Sequence, residues 1–334
     1  MRNFLILLPS LLLFQCRSGQ SPKTPPVEVK VEDAFLRFIG APEDQVSHRL
    51  DSILNLDRSF TKLFNGVILG ATDSVISRDR VLAWFTDTSR SRLKDRCMQV
   101  MESMDWQNSL GPTFARYRQA FPERTVPVIH ILITDFNYGL FLFRDDLGKD
   151  AVGVGMEMFL DDTPLYDQLS QQNPNFSTYL NRTFNLRHLP SKLIHILLAD
   201  LIPEPPGNRL LDHIVREGKI LYITRALMPG IADTILHEYT DEQMRWVNEN
   251  EWDIWRFLLS EKLLYQSVGK DIVNLVQPAP HSQGMPPEAP GRAVNVLGLK
   301  IIEAFMKREN LSLSELAGKV DADEILQKAR YRPG

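Results

Sequence analysis

The spacing of apolar residues changes period twice along this chain, and no other feature restricts its possible folds as much. Between about Asp33 and Phe121, in segments 43–55, 73–87, 91–104 and 111–121, apolar residues recur every three or four positions, the spacing of helices that bury one face. Residues 126–134, 138–144 and 152–159 are instead β-branched or aromatic runs divided by Asn, Gly and Asp turns, which predicts a small sheet. Helices return at Pro190 and continue to about Tyr331. Pro190 opens the first, Pro203-Glu204-Pro205-Pro206-Gly207 stops it, and Gly207 or Asn208 starts the next. The expected class is α+β and predominantly helical: helices over 33–121, a sheet over 122–160 and helices over 161–334. The sheet should have about three to four strands packed on helices.

The first residues set the destination. Arg2 gives a short positive start, and 4–14 is an apolar run broken by Pro9 and Ser10 that ends just before Cys16. It is too short to span a bilayer, which takes about 20 apolar residues, and it suits the apolar core of a signal peptide. Leu13-Phe14-Gln15-Cys16 resembles a lipobox, although Gln15 is larger than the small residue usual before the cysteine. The expectation is a lipoprotein signal peptide at 1–15, lipid such as palmitate on Cys16, and a tether over 16–32. Residues 17–26 are rich in Ser, Pro, Lys and Gly, too poor in apolar surface to offset the entropy of ordering. With Cys16 lipidated, Cys97 is the only thiol left in the mature body, so no internal disulfide is expected and its role should be packing. The globular part should stand in the periplasm, at either the inner or the outer membrane.

With 43% hydrophobic residues and no internal repeat or later low-complexity linker, residues 33–334 read as one globular domain. The net charge of −4 gives no ground for nucleic-acid binding, which usually shows a basic surface.

Helices, a short sheet and then two consecutive long helices resemble a zincin-like arrangement, that of HExxH zinc peptidases. In those enzymes an edge strand holds extended substrate, the first long helix carries two histidines one turn apart, and a later helix donates a third ligand. Here the first helix contains Ser191-Lys192-Leu193-Ile194-His195-Ile196-Leu197-Leu198-Ala199-Asp200. His195 takes the place of the first ligand, but Ile196 stands where the general base should be and Ala199 where the second histidine should be. Catalytic zinc needs three protein ligands and a carboxylate to take a proton from its water; Ile and Ala supply neither. The next helix holds Glu217-Gly218 where a third ligand would fall, with His213 four residues before Glu217 on the same face. Two readings follow. In one, His195 is a core histidine, His213 and Glu217 are a surface pair, and there is no cofactor. In the other, His195, His213 and Glu217 hold zinc between two helices in a metallopeptidase with a displaced site.

Other motifs carry less. His237-Glu238-Tyr239-Thr240-Asp241 begins like a zinc motif but ends in Asp, and Thr240 to Gln243 reads as a helix cap. No Gly-rich phosphate loop or nucleophile elbow is present.

Longer strings are more specific. Asn248-Glu249-Asn250-Glu251-Trp252-Asp253-Ile254-Trp255-Arg256-Phe257, Glu261-Lys262-Leu263-Leu264-Tyr265, Pro278-Ala279-Pro280, Ala289-Pro290-Gly291-Arg292 with Gly298 one helix later, Asp321-Ala322-Asp323-Glu324-Ile325-Leu326 and Tyr331-Arg332-Pro333 occur in that order. With the strand block from Val126-Pro127 to Asp135 and the Gly148-Lys149-Asp150 turn, they make the last two-thirds of the chain resemble the GldB-type gliding-motility lipoproteins of Bacteroidetes. The resemblance implies an envelope lipoprotein needed for gliding, in a family associated with the gliding and type 9 secretion machinery. It also implies a peptidase-like scaffold that has lost its zinc site: a pseudoenzyme acting as a component or assembly factor. Its partners would be the membrane, through the lipid, and other proteins of that machinery. A glycan or peptide bound in the old cleft is a further reading, which a pocket rimmed by Trp would favour.

The same strings have structural readings. Trp252, Trp255, Leu258, Leu259 and Lys262 recur at helical spacing and read as a core stripe. Glu249, Glu251, Asp253 and Arg256 can pair with each other or with a buried Arg292. Gly291-Arg292 should open a helix, and Gly298, inside it, should mark a close helix crossing. Trp252, Asp253, Trp255, Arg256, Gly291, Arg292 and Gly298 are thus candidates for structure or for partner binding.

Overall fold

A computed structural model of the chain describes residues 27–56, 66, 68, 78–145, 147–270 and 272–334. The expected signal peptide, Cys16, the first part of the expected tether and part of the helix expected over 73–87 lie outside the described residues.

The helical N-terminal part comprises α1 (Ala34–Phe38), α2 (Glu43–Leu56), α3 (Arg78–Thr86), α4 (Ser91–Ser103) and α5 (Trp106–Ala120). Strand β1 (Val31–Glu32) precedes them, and β2 (Val128–Leu132), β3 (Leu140–Arg144) and β4 (Asp150–Gly155) follow. The sheet order is β1-β2-β4-β3, with β1, β2 and β4 parallel and β3 antiparallel at one edge. Next come α6 (Thr163–Ser170), α7 (Thr178–Asn181), α8 (Leu189–Leu201), α9 (Leu210–Leu227), α10 (Asp233–Leu236), α11 (Asp241–Glu249), α12 (Glu251–Ser260), α13 (Ala293–Glu309), α14 (Leu313–Gly318) and α15 (Ala322–Ala329). The fold is α+β, predominantly helical, with one small four-stranded sheet. No described helix is long and apolar enough to cross a membrane.

Residues 27–32, expected to belong to a flexible tether, instead pack on the domain. Val27 is buried, the Val29 N–H donates to Gln107 Oε1 at 3.0 Å, and Gln107 Nε2 donates to the Val27 carbonyl at 2.8 Å. Val31 then pairs with Ile129. Val27, Val29 and Val31 alternate along a short stretch that composition alone assigns to the polar segment before it. The third strand also ends early. At Gly155 an added Cβ would lie 2.1 Å from the Tyr138 carbonyl oxygen, and the chain turns there into a 3₁₀ segment, Met156–Phe159.

α9 and α13 form the centre of the C-terminal part. Their backbones touch where two glycines cross: a Cβ on Gly218 would meet Gly298 O at 2.3 Å, and one on Gly298 would meet Ile214 O at 2.2 Å. Gly298 is therefore the close-packing residue that its position inside a helix suggests. Cys97 is fully buried on α4, and burial pushes its thiol far above the usual range, as suits packing rather than reactivity.

Candidate functional site

Edge strand β3, helices α8 and α9 and the turn after α10 enclose a cleft of about 330 Å³. α8 begins with Pro190 in its first turn, where a missing N–H costs nothing. Its residues Lys192, His195 and Ile196 are three and four apart and line the cleft together. From α9 come Glu217 and Leu221, and from β3 only Leu140, with Gly139 just before it. Met158, Phe159, Phe184 and Leu236 add apolar surface.

His195 and Glu217 do meet: Nε2 lies 3.8 Å from Oε1. His213 does not join them, since its Nε2 pairs with Asn208 Oδ1 at 2.7 Å near the start of α9. Among the described residues no group of three His, Cys, Asp or Glu side chains is placed to hold a metal ion. Ile196 faces the cleft with a hydrocarbon side chain that accepts no proton.

Charge gathers instead at Glu238, on the turn after α10. Lys192 Nζ reaches its Oε1, Arg292 Nη2 donates to its Oε2 at 2.9 Å and to the His237 carbonyl at 3.3 Å, and Arg182 Nη2 donates to its backbone carbonyl at 2.6 Å. Burial acts to raise the Glu238 carboxyl, but the charges and hydrogen bonds of Lys192 and Arg292 outweigh it and hold it well below the usual carboxylate range. Burial lowers the Arg182 guanidinium, and the nearby charge of Arg292 lowers it further. Glu238 and Arg292 both adopt left-handed backbone, with φ of 55° and 66°, a state that costs non-glycine residues about 1–3 kcal/mol each and tends to collect at functional sites. Arg292 is held there because Tyr239 Oη donates to the Gly291 carbonyl at 2.8 Å. A Cβ on Gly291 would sit 2.2 Å from the Ala279 oxygen, so no other residue fits that approach.

Two buried polar atoms of the lining, His237 Nε2 and Asn295 Oδ1, have no partner among the described residues. Burial, then the charges of Arg225, Arg292 and Lys300, lower the His237 pKa to about 3, so its ring is neutral. His188, behind Lys192, is likewise lowered to about 4 by burial first and Lys192 second.

A buried carboxylate shapes the approach to β3. Glu157 Oε1 accepts from the Thr134 N–H at 2.5 Å, Thr134 Oγ1 at 2.7 Å and the Phe136 N–H at 3.0 Å. It thereby fixes a loop in which Asp135 and Phe136 are both left-handed, with φ of 52° and 62°. Burial raises the Glu157 carboxyl to about 6 despite these bonds.

A sequence profile of the family described as gliding motility protein GldB matches residues 15–333. The chain belongs to that family. The match takes in Cys16, the sheet, both cleft helices and the C-terminal strings alike. No curated protein and no solved structure matches the chain significantly.

Several strings that carry the family likeness meet in space. Tyr331 Oη donates to Glu251 Oε1 at 2.6 Å, and its ring stands edge-on to Trp255 at 5.3 Å. Lys300 also pairs with Glu251, so the partner of Arg292 is Glu238 and not the acids of 249–253. Trp252 corrects the core-stripe expectation, being 54% exposed with Arg256 5.5 Å over its ring and Asp253 paired to Arg256 at 2.6 Å. Trp246, not Trp252, borders a separate hollow with Asp253, Arg256, Phe257 and Met285. Among the described residues the main cleft has Phe and Tyr but no Trp in its lining.

Proposed function

We propose that this chain is a non-catalytic envelope lipoprotein, anchored through lipid on Cys16 with its globular part in the periplasm, that serves as a component or assembly factor of the gliding and type 9 secretion machinery. Its cleft holds an extended segment of a partner protein where a peptidase of similar layout would cut one. Family membership supports the gliding role, and a family of motility proteins gives no reason to expect an enzyme.

The observation that carries the reading is the open edge of β3 beside a cleft whose proton-acceptor position is Ile196. Gly155 N–H donates to Gly139 O and Asp145 N–H to Lys149 O, which with the β3–β4 register sets the parity of the strand. Phe141 and Phe143 turn their backbone groups toward β4, while Leu140, Leu142 and Arg144 turn theirs away from it. Among the described residues no strand pairs with that outer edge. An extended segment can add there by main-chain hydrogen bonds, with cleft pockets reading its side chains.

Chromosomal replacement tests this. Leu142→Pro removes one outward N–H and no internal hydrogen bond, a substitution edge strands tolerate; it should stop gliding while leaving the protein folded and abundant. His195→Ala should leave gliding intact. Loss of gliding in His195→Ala, with Leu142→Pro still motile, would overturn the reading.

A further inference from the structure

We infer that the cleft takes the free C-terminal carboxylate of an extended polypeptide, seated by Lys192 and Arg292. The inference rests on β3 serving as a docking edge and adds which end of the bound segment enters the cleft. Of β3 only Leu140, its first residue, and the preceding Gly139 line the cleft. A segment added antiparallel to β3 runs from Arg144 toward Leu140, so its C-terminal end is the one delivered there. A parallel segment would deliver an ammonium group instead.

The charges at that end discriminate between the two. Lys192 and Arg292 hold the Glu238 carboxylate and Arg182 its backbone carbonyl, while the other carboxylate of the lining, Glu217, faces His195 and reaches Arg292 through its charge, so three cations stand against two carboxylates. The corner keeps an excess of positive charge that would repel an ammonium. Of the three guanidinium nitrogens of Arg292 only Nη2 has an acceptor among the described residues, and a planar guanidinium with free donors suits a carboxylate. His237 Nε2 and Asn295 Oδ1, on residues of the lining that are more than nine-tenths buried, lack partners among the described residues. Buried polar atoms are seldom left so, and a terminal peptide unit with its N–H and oxygens would supply both.

The full chain in detergent, immobilised, is offered pools of short synthetic peptides without Asp or Glu, one pool as free acids and one as C-terminal amides. A third pool, amidated, carries internal Asp or Glu. Retained peptides are counted by mass spectrometry. The free acids should be held about tenfold better than the amides, as expected for charge-assisted hydrogen bonds. Lys192→Gln should shrink that ratio, and Leu142→Pro should weaken both pools. Equal retention of acids and amides overturns the inference, and if Leu142→Pro still abolishes both, β3 docking stands without it. Retention of the amidated acidic pool as strongly as the free acids also overturns it, because the carboxylate then comes from a side chain. If no pool is retained, both the inference and the docking edge fail.

Discussion

Glu217 and Gly218 are neighbours on α9 and look in different directions, and the two sides of the helix they serve are built on opposite plans. On the Gly218 side the backbone of α13 lies so close that no side chain fits between. On the Glu217 side a cleft stays open, with buried polar atoms unpaired and an ion network at its corner. One side is held by contact between backbones. The other is held apart by charge, which keeps space available for a ligand.

The largest effect should come from removing the charge that binds the corner together. Glu238→Gln leaves Lys192 and Arg292 without their carboxylate and should lower stability by about 3–5 kcal/mol, the usual result of breaking a buried ion pair from one side, measured by urea denaturation. Gly218→Leu should come next, at about 3 kcal/mol, because the atoms it meets are backbone and the helices must separate. If Gly218→Leu were neutral, the two sides would not differ as described.

Acid should loosen the cleft side first. His237 and His188 titrate at about 3 and about 4 in the folded chain, against about 6.5 unfolded. Over that interval the unfolded state binds more protons, so stability falls as pH drops below about 6.5, by up to roughly 1.4 kcal/mol per pH unit for each histidine. Glu238 adds to the loss below about 4.3, where its unfolded carboxyl begins to protonate. Glu157 works the other way. Its folded value of about 6 lies above the unfolded one, so protonation favours the folded state, and the stability it contributes is lost as pH rises through about 6. Denaturation of His237→Gln across this range should show a shallower slope than the natural chain; an unchanged slope would take His237 out of the account.

The smallest effects belong to the two candidate metal ligands that meet in the cleft, His195 and Glu217. His195→Ala and Glu217→Gln should each change stability by less than about 0.5 kcal/mol, since His195 is 40% exposed and the pair stands 3.8 Å apart in open cleft. A large loss from either would mean that the cleft wall depends on them.

The helical blocks, the sheet, the Pro190 start and the Gly298 crossing were legible because each follows from a local period or a single residue's geometry. Glu238 was not. Its meaning depends on Arg292, 54 residues away, and on Lys192, 46 away, and in sequence it looked like a zinc motif missing its second histidine. Trp252 misled for a related reason. The buried positions of α12 are Glu251, Ile254 and Leu258, one residue out of step with the tryptophans, and the buried carboxylate of Glu251 disguises the stripe. Lys300 and Tyr331 make its burial tolerable, and neither is visible from a helical window.

Metal content tests the central claim most directly. Protein purified from cells without chelators, assayed by inductively coupled plasma mass spectrometry, should carry zinc no higher than the buffer blank. One zinc per chain, lost in both His195→Ala and Glu217→Gln, would contradict the account and restore a peptidase to this cleft.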